Sequence, residues 1–185
     1  MVQRELIELA RKGDRDAFSA LAASVIDRLY ATAMLILRDH SMADAATEEA
    51  IVLAWRDLPS LRDADRFDAW LRRLLVNACR DEGRRQKRRR PEIVLRSIHE
   101  PAVSDSSAAL ADRDALDRGF RRLNAEHRTV IVLHYYLGLS LPEVASAIGA
   151  PLGTVKSRMH HGTRALRAAL EADARGSGIA GGGTA

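Results

Sequence analysis

Residues 140–166 read SLPEVASAIGAPLGTVKSRMHHGTRAL, a stretch that spells out a short helix, a turn and a longer helix in that order. Ser140 and Glu143 have the spacing of a capping box, and Pro142 falls in the first turn, where its missing N–H costs nothing. Gly138 and Gly149 supply turns on either side, and Pro151 suits the first turn of a second helix running to about Leu170. Along that helix Val155, Met159, Gly162, Leu166 and Leu170 recur at steps of three and four, and so turn inward together. Lys156, Ser157, Arg158, His160, His161 and Arg164 are left on other faces, with no carboxylate from Gly153 to Leu166.

A capped helix, a glycine turn and a basic helix together predict a helix-turn-helix. Such a unit lays its second helix in the DNA major groove, with N-terminal side chains at base edges and Arg or Lys on phosphates. The plainer reading of any basic helix is a solvated outer face. Here the cap and the turn at the right spacing favour DNA.

Composition sets the class. Of 185 residues 46% are hydrophobic and 4% aromatic, with Ala, Leu and Arg abundant. Unbranched side chains lose little rotamer freedom in a helix, so an all-α protein with a packed core is predicted. The net charge of +4 is segregated along the chain. Arg80 to Arg90, RDEGRRQKRRR, sets seven Arg or Lys against Asp81 and Glu82, whereas Asp39 to Asp68 sets eight carboxylates against Arg56, Arg62 and Arg66. A basic face and an acidic face imply different partners.

Cys79 is the single cysteine, which excludes an internal disulfide and a Cys-rich zinc site and suits a reducing, intracellular setting. It adjoins a buried helix face and reads as a small core residue rather than a redox sensor. The N-terminus MVQRELIELARKGD has no signal-peptide core, and the apolar region Ala17 to Leu37 is interrupted by Asp27 and Arg28. Neither secretion nor a membrane span is expected. The six histidines form no HExxH pattern, and no nucleophile elbow or glycine-rich phosphate loop occurs, so no enzyme, metal or cofactor is expected.

In the N-terminal half, Phe18, Leu21, Val25, Leu29, Ala33 and Ile36 mark a core helix within residues 14–37. Ser41 with Asp44 reads as the cap of a second helix, whose face of Ile51, Ala54, Trp55 and Leu58 is stopped by Pro59. Residues 59–64 read as a loop, after which Asp63 or Asp65 caps a helix bearing Phe67, Leu71, Leu74, Leu75 and Ala78. Trp55 and Trp70 sit beside apolar stripes, where core packing outweighs base stacking. Two small helical domains are predicted: residues 1–90, a linker over 91–111, a helix-turn-helix domain over 112–172, and a disordered glycine-rich tail over 173–185.

The segment from Leu123 to Leu166, with its Leu-Pro-Glu-Val-Ala and Gly-Thr-Val-Lys-Ser-Arg blocks, resembles region 4 of the sigma-70 family of RNA polymerase sigma factors, in its extracytoplasmic-function (ECF) group. Phe67-Asp-Ala-Trp70-Leu-Arg-Arg-Leu-Leu-Val-Asn77-Ala-Cys-Arg-Asp81, followed by Arg84 and Arg85, resembles region 2. The resemblance spans roughly Leu6 to Leu170. It implies a cytoplasmic transcription initiation factor whose partners are core RNA polymerase, promoter DNA and an anti-sigma factor. Region 2 would dock on the polymerase clamp through Asp44, Glu48, Glu49, Ile51 and Trp55. It would also open the minus-10 element with Leu61, Arg62, Asp63, Arg66, Asn77, Arg80, Asp81, Arg84, Arg85 and Arg88. Region 4 would hold the minus-35 duplex with Thr154, Lys156, Ser157, Arg158, His160, His161, Thr163 and Arg164.

The chain departs from the family at two places. Where the pattern has Arg-Ala-Arg, this chain has His161-Gly162-Thr163, so two guanidinium groups are missing and Gly162 weakens the helix by roughly 1 kcal/mol relative to Ala. A weaker or differently specified minus-35 contact is expected, strengthened where acid protonates His161. Where ECF factors show Asp-Leu-x-Gln-Glu-x-Phe, this chain has Ala45-Ala-Thr-Glu48-Glu49-Ala-Ile51, which makes the docking face more acidic and more salt-sensitive. The rival reading is a helix-turn-helix DNA-binding regulator that works without polymerase.

Overall fold

In the computed structural model, residues 3–89 and 107–179 are described, and among them every regular element is helical. The order is α1 Gln3–Arg11, α2 Arg15–Leu37, α3 His40–Asp57, α4 Phe67–Arg89, α5 Ser107–Arg122, α6 Ala125–Ile131, α7 Leu141–Ile148 and α8 Leu152–Ile179. Two short 3₁₀ turns, Leu58–Ser60 and Ala64–Arg66, join α3 to α4, and a π-helical segment, Val132–Tyr136, continues α6. The described residues fall into two compact units: α1 to α4 with Pro142–Ala150 form one, and α5, α6 and α8 form the other.

In the first unit α3 packs on both α2 and α4, and α1 packs on α2. Leu21, Val25, Leu29, Ala33 and Ile36 of α2 are buried, as the spacing predicts. Ala43, Ala46, Ala50 and Ala54 form the buried stripe of α3. Small side chains at a helix contact let the axes approach closely, which is how one helix serves two neighbours. Thr47 lies in the same stripe and satisfies its hydroxyl by donating to the Ala43 carbonyl at 2.7 Å. From α4, Phe67, Leu71, Leu75, Ala78 and Cys79 complete the core. Burial pushes the Cys79 thiol up to about 12, the state of an inert core cysteine. Helix α2 is long and apolar enough to cross a membrane by length and composition. Its apolar stripe is buried in this core instead, and its Arg28 pairs with Asp68 at 3.0 Å.

The caps differ from expectation at one helix. Asp14 begins α2, accepting from the Ala17 N–H at 3.0 Å, but α3 is capped by Asp39, which accepts from the Met42 N–H at 3.0 Å, and not by Ser41. Arg38 ends α2 with φ +61°, and that reversal leaves Asp39 as the first extended residue, where a short carboxylate reaches the new helix. Helix α1 is not marked by the sequence pattern, yet its Ile7 and Ala10 are each 2% exposed.

In the second unit α8 packs on α5 and α6. Residues 107–111, expected as the end of the linker, are the first turns of α5, and α8 continues past residue 172 to Ile179. The Ala-Ala-Leu-Ala run that follows Ser107 is made of strong helix formers. The rest of the expected linker and residues 180–185 lie outside the described residues. Asn124 caps α6 by accepting from the His127 N–H at 2.8 Å, and Gly138 and Gly149 hold φ of +70° and +64°, as their turns require.

Asp173 fastens α8 to α5. Its carboxylate, 13% exposed, accepts from Arg118 Nε at 2.8 Å and Arg122 Nη2 at 2.9 Å. The Arg118 hydrogen bond above all holds the Asp173 carboxyl below the usual carboxylate range. Because the folded value is lowered, this stabilisation is complete above the unfolded value of about 3.9 and is lost as pH falls through the folded one. Wild type is therefore expected to lose more thermal stability than Asp173→Asn on acidification from about pH 5 to about pH 2. Scanning calorimetry across that range checks this, and parallel losses in the two proteins would refute it.

Candidate nucleic-acid interface

Helix α4 must bury Phe67, Leu71, Leu75 and Ala78, and this fixes its rotation. At three- and four-residue steps on the opposite side stand Arg73, Asn77, Arg80, Arg84 and Arg88, with Trp70 and Asp81 beside them. Arg73, Arg80, Asp81, Arg84 and Arg88 are exposed, and Asn77 and Trp70 are half-buried. Neither Arg73 nor Trp70 is among the residues expected for this stripe from the sequence. Their signal is the same periodicity extended one turn toward the N-terminus of α4. The Trp70 ring lies 6.0 Å from that of Phe67 at the edge of the core.

Not every expected residue joins that face. Leu61 is 8% exposed and anchors its segment in the core. Arg85 turns off the stripe and pairs with Glu82 at 3.4 Å. Asp81 lies 3.8 Å from Arg84, and Arg80 Nη2 donates to the Ile148 carbonyl at 2.7 Å. Between α3 and α4, Leu61, Ala64 and Phe67 point inward at every third position, which turns Arg62, Asp63, Asp65 and Arg66 outward. Asp63 accepts from the Asp65 N–H at 3.0 Å and lies 3.4 Å from Arg66 Nε.

On α8, Val155, Gly162 and Ala169 are buried, and Met159, Leu166 and Leu170 are half-buried beside them. Lys156, Ser157, His160, Arg164 and Arg167 share the exposed opposite face. Arg167 is absent from the expected set, although it continues the same 156, 160, 164 progression. His161 is exposed at the flank of this face, with its ring 5.5 Å from that of His160. Thr154 and Thr163 are half-buried, and Thr163 donates its hydroxyl to the Met159 carbonyl at 2.8 Å. Arg158 sits on the inner flank, 26% exposed, and donates to Glu126 of α6 at 2.8 Å.

Gly162 has a role that helix propensity does not reveal. A Cβ there would stand 3.0 Å from Ile131 Cδ1 and 3.1 Å from His127 Cβ, so the missing side chain is what lets α6 lie against α8. At Gly119 on α5 a Cβ would come within 2.7 Å of Leu166 Cδ1. Both neighbours of α8 therefore approach it through a glycine.

A third surface lies on α3. Asp44, Glu48, Ile51 and Trp55 follow one another at four-, three- and four-residue steps, opposite the alanine stripe. Asp44 and Glu48 are exposed, Ile51 is half-buried and Trp55 is 37% exposed. The expected burial of Trp55 is incomplete: its ring contacts that of Phe18 at 4.9 Å and leaves one side open. Val52, 63% exposed, borders this face without having been expected there, whereas Glu49 turns away from it. At the end of α3, Arg56 donates to Asp57 at 2.7 Å, and that bond holds the Asp57 carboxyl below its ordinary range.

Comparison with known proteins gives a consistent result. Residues 21–89 match the family model of sigma-70 region 2, and residues 119–168 match that of sigma-70 region 4. The chain is 34% identical over 154 residues to the ECF RNA polymerase sigma factor SigM of Mycobacterium tuberculosis, covering 83% of this chain and 77% of that protein. It is 29% identical over 185 residues to the ECF sigma factor SigW of Bacillus subtilis, covering 92% of this chain and 97% of that one. Among solved structures it is similar to the sigma factor RpoE of Bartonella quintana, crystallised with the anti-sigma factor NepR. That match has a TM-score of 0.67 and 25% identity, and covers 84% of this chain and 98% of that chain.

The glycine contact can be tested directly. Gly162→Leu is expected to destabilise the protein by about 1 to 3 kcal/mol through overpacking against Ile131 and His127. Chemical denaturation of the two proteins measures this, and an unchanged midpoint would show that α6 and α8 are not held at the observed distance.

Proposed function

This chain is a member of the sigma-70 family, in its extracytoplasmic-function group, and acts as a transcription initiation factor; we propose the following division of labour among its surfaces. The face of α3 built from Asp44, Glu48, Ile51 and Trp55, with Val52 at its border, docks on core RNA polymerase in the cytoplasm. Carboxylates around an exposed aromatic suit such a contact, since complementary charge steers and registers the partner while the apolar centre supplies affinity. Glu48 and the open side of Trp55 carry this reading.

The outward stripe of α4 meets the minus-10 strand. Arg73, Arg80, Arg84 and Arg88 follow the phosphates, as single-stranded DNA requires, and Trp70 offers a stacking surface. Asn77 presents both a donor and an acceptor to a base edge, while Asp81 accepts. Arg62 and Arg66 extend this surface along the loop. Arg85, tied to Glu82, flanks the row, and Leu61, packed in the core, supports the loop from behind.

The exposed face of α8 meets the minus-35 duplex through Lys156, Ser157, His160, Arg164 and Arg167, with Thr154 and His161 at its margins. Arg158, paired with Glu126, holds α8 on α6. The observation that carries the whole assignment is that two helices in separate units each bury one apolar stripe and present a row of cations on the other side. A partner of anti-sigma type is supported by the similarity to RpoE, whose structure was solved with NepR bound.

Run-off transcription with core polymerase separates this function from a regulator that binds duplex DNA alone: promoter-specific transcripts are expected, and duplex binding without them would refute the assignment. Lys156→Ala and Arg164→Ala should each lower the log-log salt slope of minus-35 duplex binding by about 0.9. Asn77→Ala should weaken minus-10 strand binding about tenfold, the scale of one good base contact. His161→Arg should tighten the minus-35 contact, and equal affinities in a titration would remove the idea that the histidine weakens it.

A further inference from the structure

The loop joining α3 to α4 carries Asp63 and Asp65, and Asp68 follows in the first turn of α4, an odd endowment for a surface that faces a polyanion. We propose that Arg4 of α1 and Arg28 of α2 are positioning residues that mask Asp65 and Asp68 and so make this loop acceptable to the minus-10 strand.

The geometry is specific. Arg4 Nη1 donates to Asp65 Oδ1 at 3.1 Å and to Oδ2 at 3.3 Å. Arg28 Nη2 donates to Asp68 Oδ1 at 3.0 Å. The third carboxylate, Asp63, is occupied by the Asp65 N–H and by Arg66. Each of these three acids thus has a cationic neighbour, and two of those cations come from α1 and α2. Helix α1 is seated where it can deliver Arg4, since it packs on both 3₁₀ turns with Ile7 and Ala10 buried. It also precedes the stretch matched by the region 2 family model, which begins at residue 21.

Magnitude decides between stability and function. The Arg4 and Asp65 side chains are 65% and 70% exposed, and those of Arg28 and Asp68 are 52% and 41% exposed. Exposed pairs of this kind add little to folding stability. An unmasked carboxylate beside a phosphate, however, acts within the Debye length and repels the strand throughout binding. The field the pairs cancel is therefore their main effect, and it falls on DNA binding.

This inference rests on the reading that the loop and α4 face the minus-10 strand, and its test keeps the two apart. The full chain bound to core polymerase is titrated with a fluorescein-labelled non-template strand from a promoter found by transcript-start mapping. The double variant Arg4→Gln with Arg28→Gln is expected to bind the strand about fivefold more weakly at low salt, with the gap closing as salt rises. Arg4→Lys with Arg28→Lys should retain affinity, and adding Asp65→Asn and Asp68→Asn to the glutamine variant should restore it. Thermal midpoint and polymerase association are expected to stay at wild-type values throughout. Unchanged strand binding in the glutamine variant, or a loss that the asparagines do not rescue, overturns the masking. If Asn77→Ala is also silent, the minus-10 reading fails and takes this proposal with it; if Asn77→Ala weakens binding while the glutamine variant does not, the masking alone fails.

Discussion

The rotation of α4 about its own axis is the constraint on which the rest of the molecule depends. Phe67, Leu71, Leu75 and Ala78 must leave water, and α3 is the surface that receives them. Once they are buried, every other side chain of α4 is assigned a direction. The cations at 73, 80, 84 and 88 then share one exposed row, and Asn77 stands in the same row. Nothing else in the sequence forces these groups together. The same logic governs α8, where burial of Val155, Gly162 and Ala169 sends Lys156, His160, Arg164 and Arg167 outward.

Small side chains extend this constraint beyond single helices. In α3 a stripe of alanines allows contact with α2 on one side and α4 on the other, so the acidic outer face of α3 is presented by a helix held from two directions. In the second unit Gly162 has a similar effect, standing close to Ile131 and His127 of α6. That glycine lowers helix propensity by about 1 kcal/mol relative to alanine while leaving room for the neighbouring side chains. The His161-Gly162-Thr163 departure from the family pattern therefore has two parts. The glycine belongs to packing, while the histidine and threonine bear on the surface.

Electrostatics then distinguishes the surfaces that packing has exposed. Acidic α3 and basic α4 are neighbours in the first unit, and their charges are kept from mutual cancellation by pointing to different sides. Where acids do fall on the basic side, as at Asp65 of the loop and Asp68 at the start of α4, arginines from other helices answer them. Where a cation falls on an inner flank, as Arg158 does, an acid on the adjoining helix takes it. Exposed charge is thus left mainly where a partner of opposite sign is expected.

The sequence by itself determined the helical class, the core stripes of α2, α4 and α8, the helix order around Gly149, and the family to which the chain belongs. Those features are legible because they depend on residue spacing within one element, where a period of 3.6 maps position directly onto face. It also marked most cations of the two exposed basic rows, missing Arg73 and Arg167 only where the period was not followed far enough. Tertiary structure alone decided that α1 exists and buttresses the loop, that residues 107–111 belong to α5, and that Asp39 rather than Ser41 caps α3. It alone buried Leu61, gave Arg158 to Glu126, and left Trp55 half open beside Phe18. Most of these outcomes depend on a side chain meeting another outside its own helix, and no local period records which residue will be there.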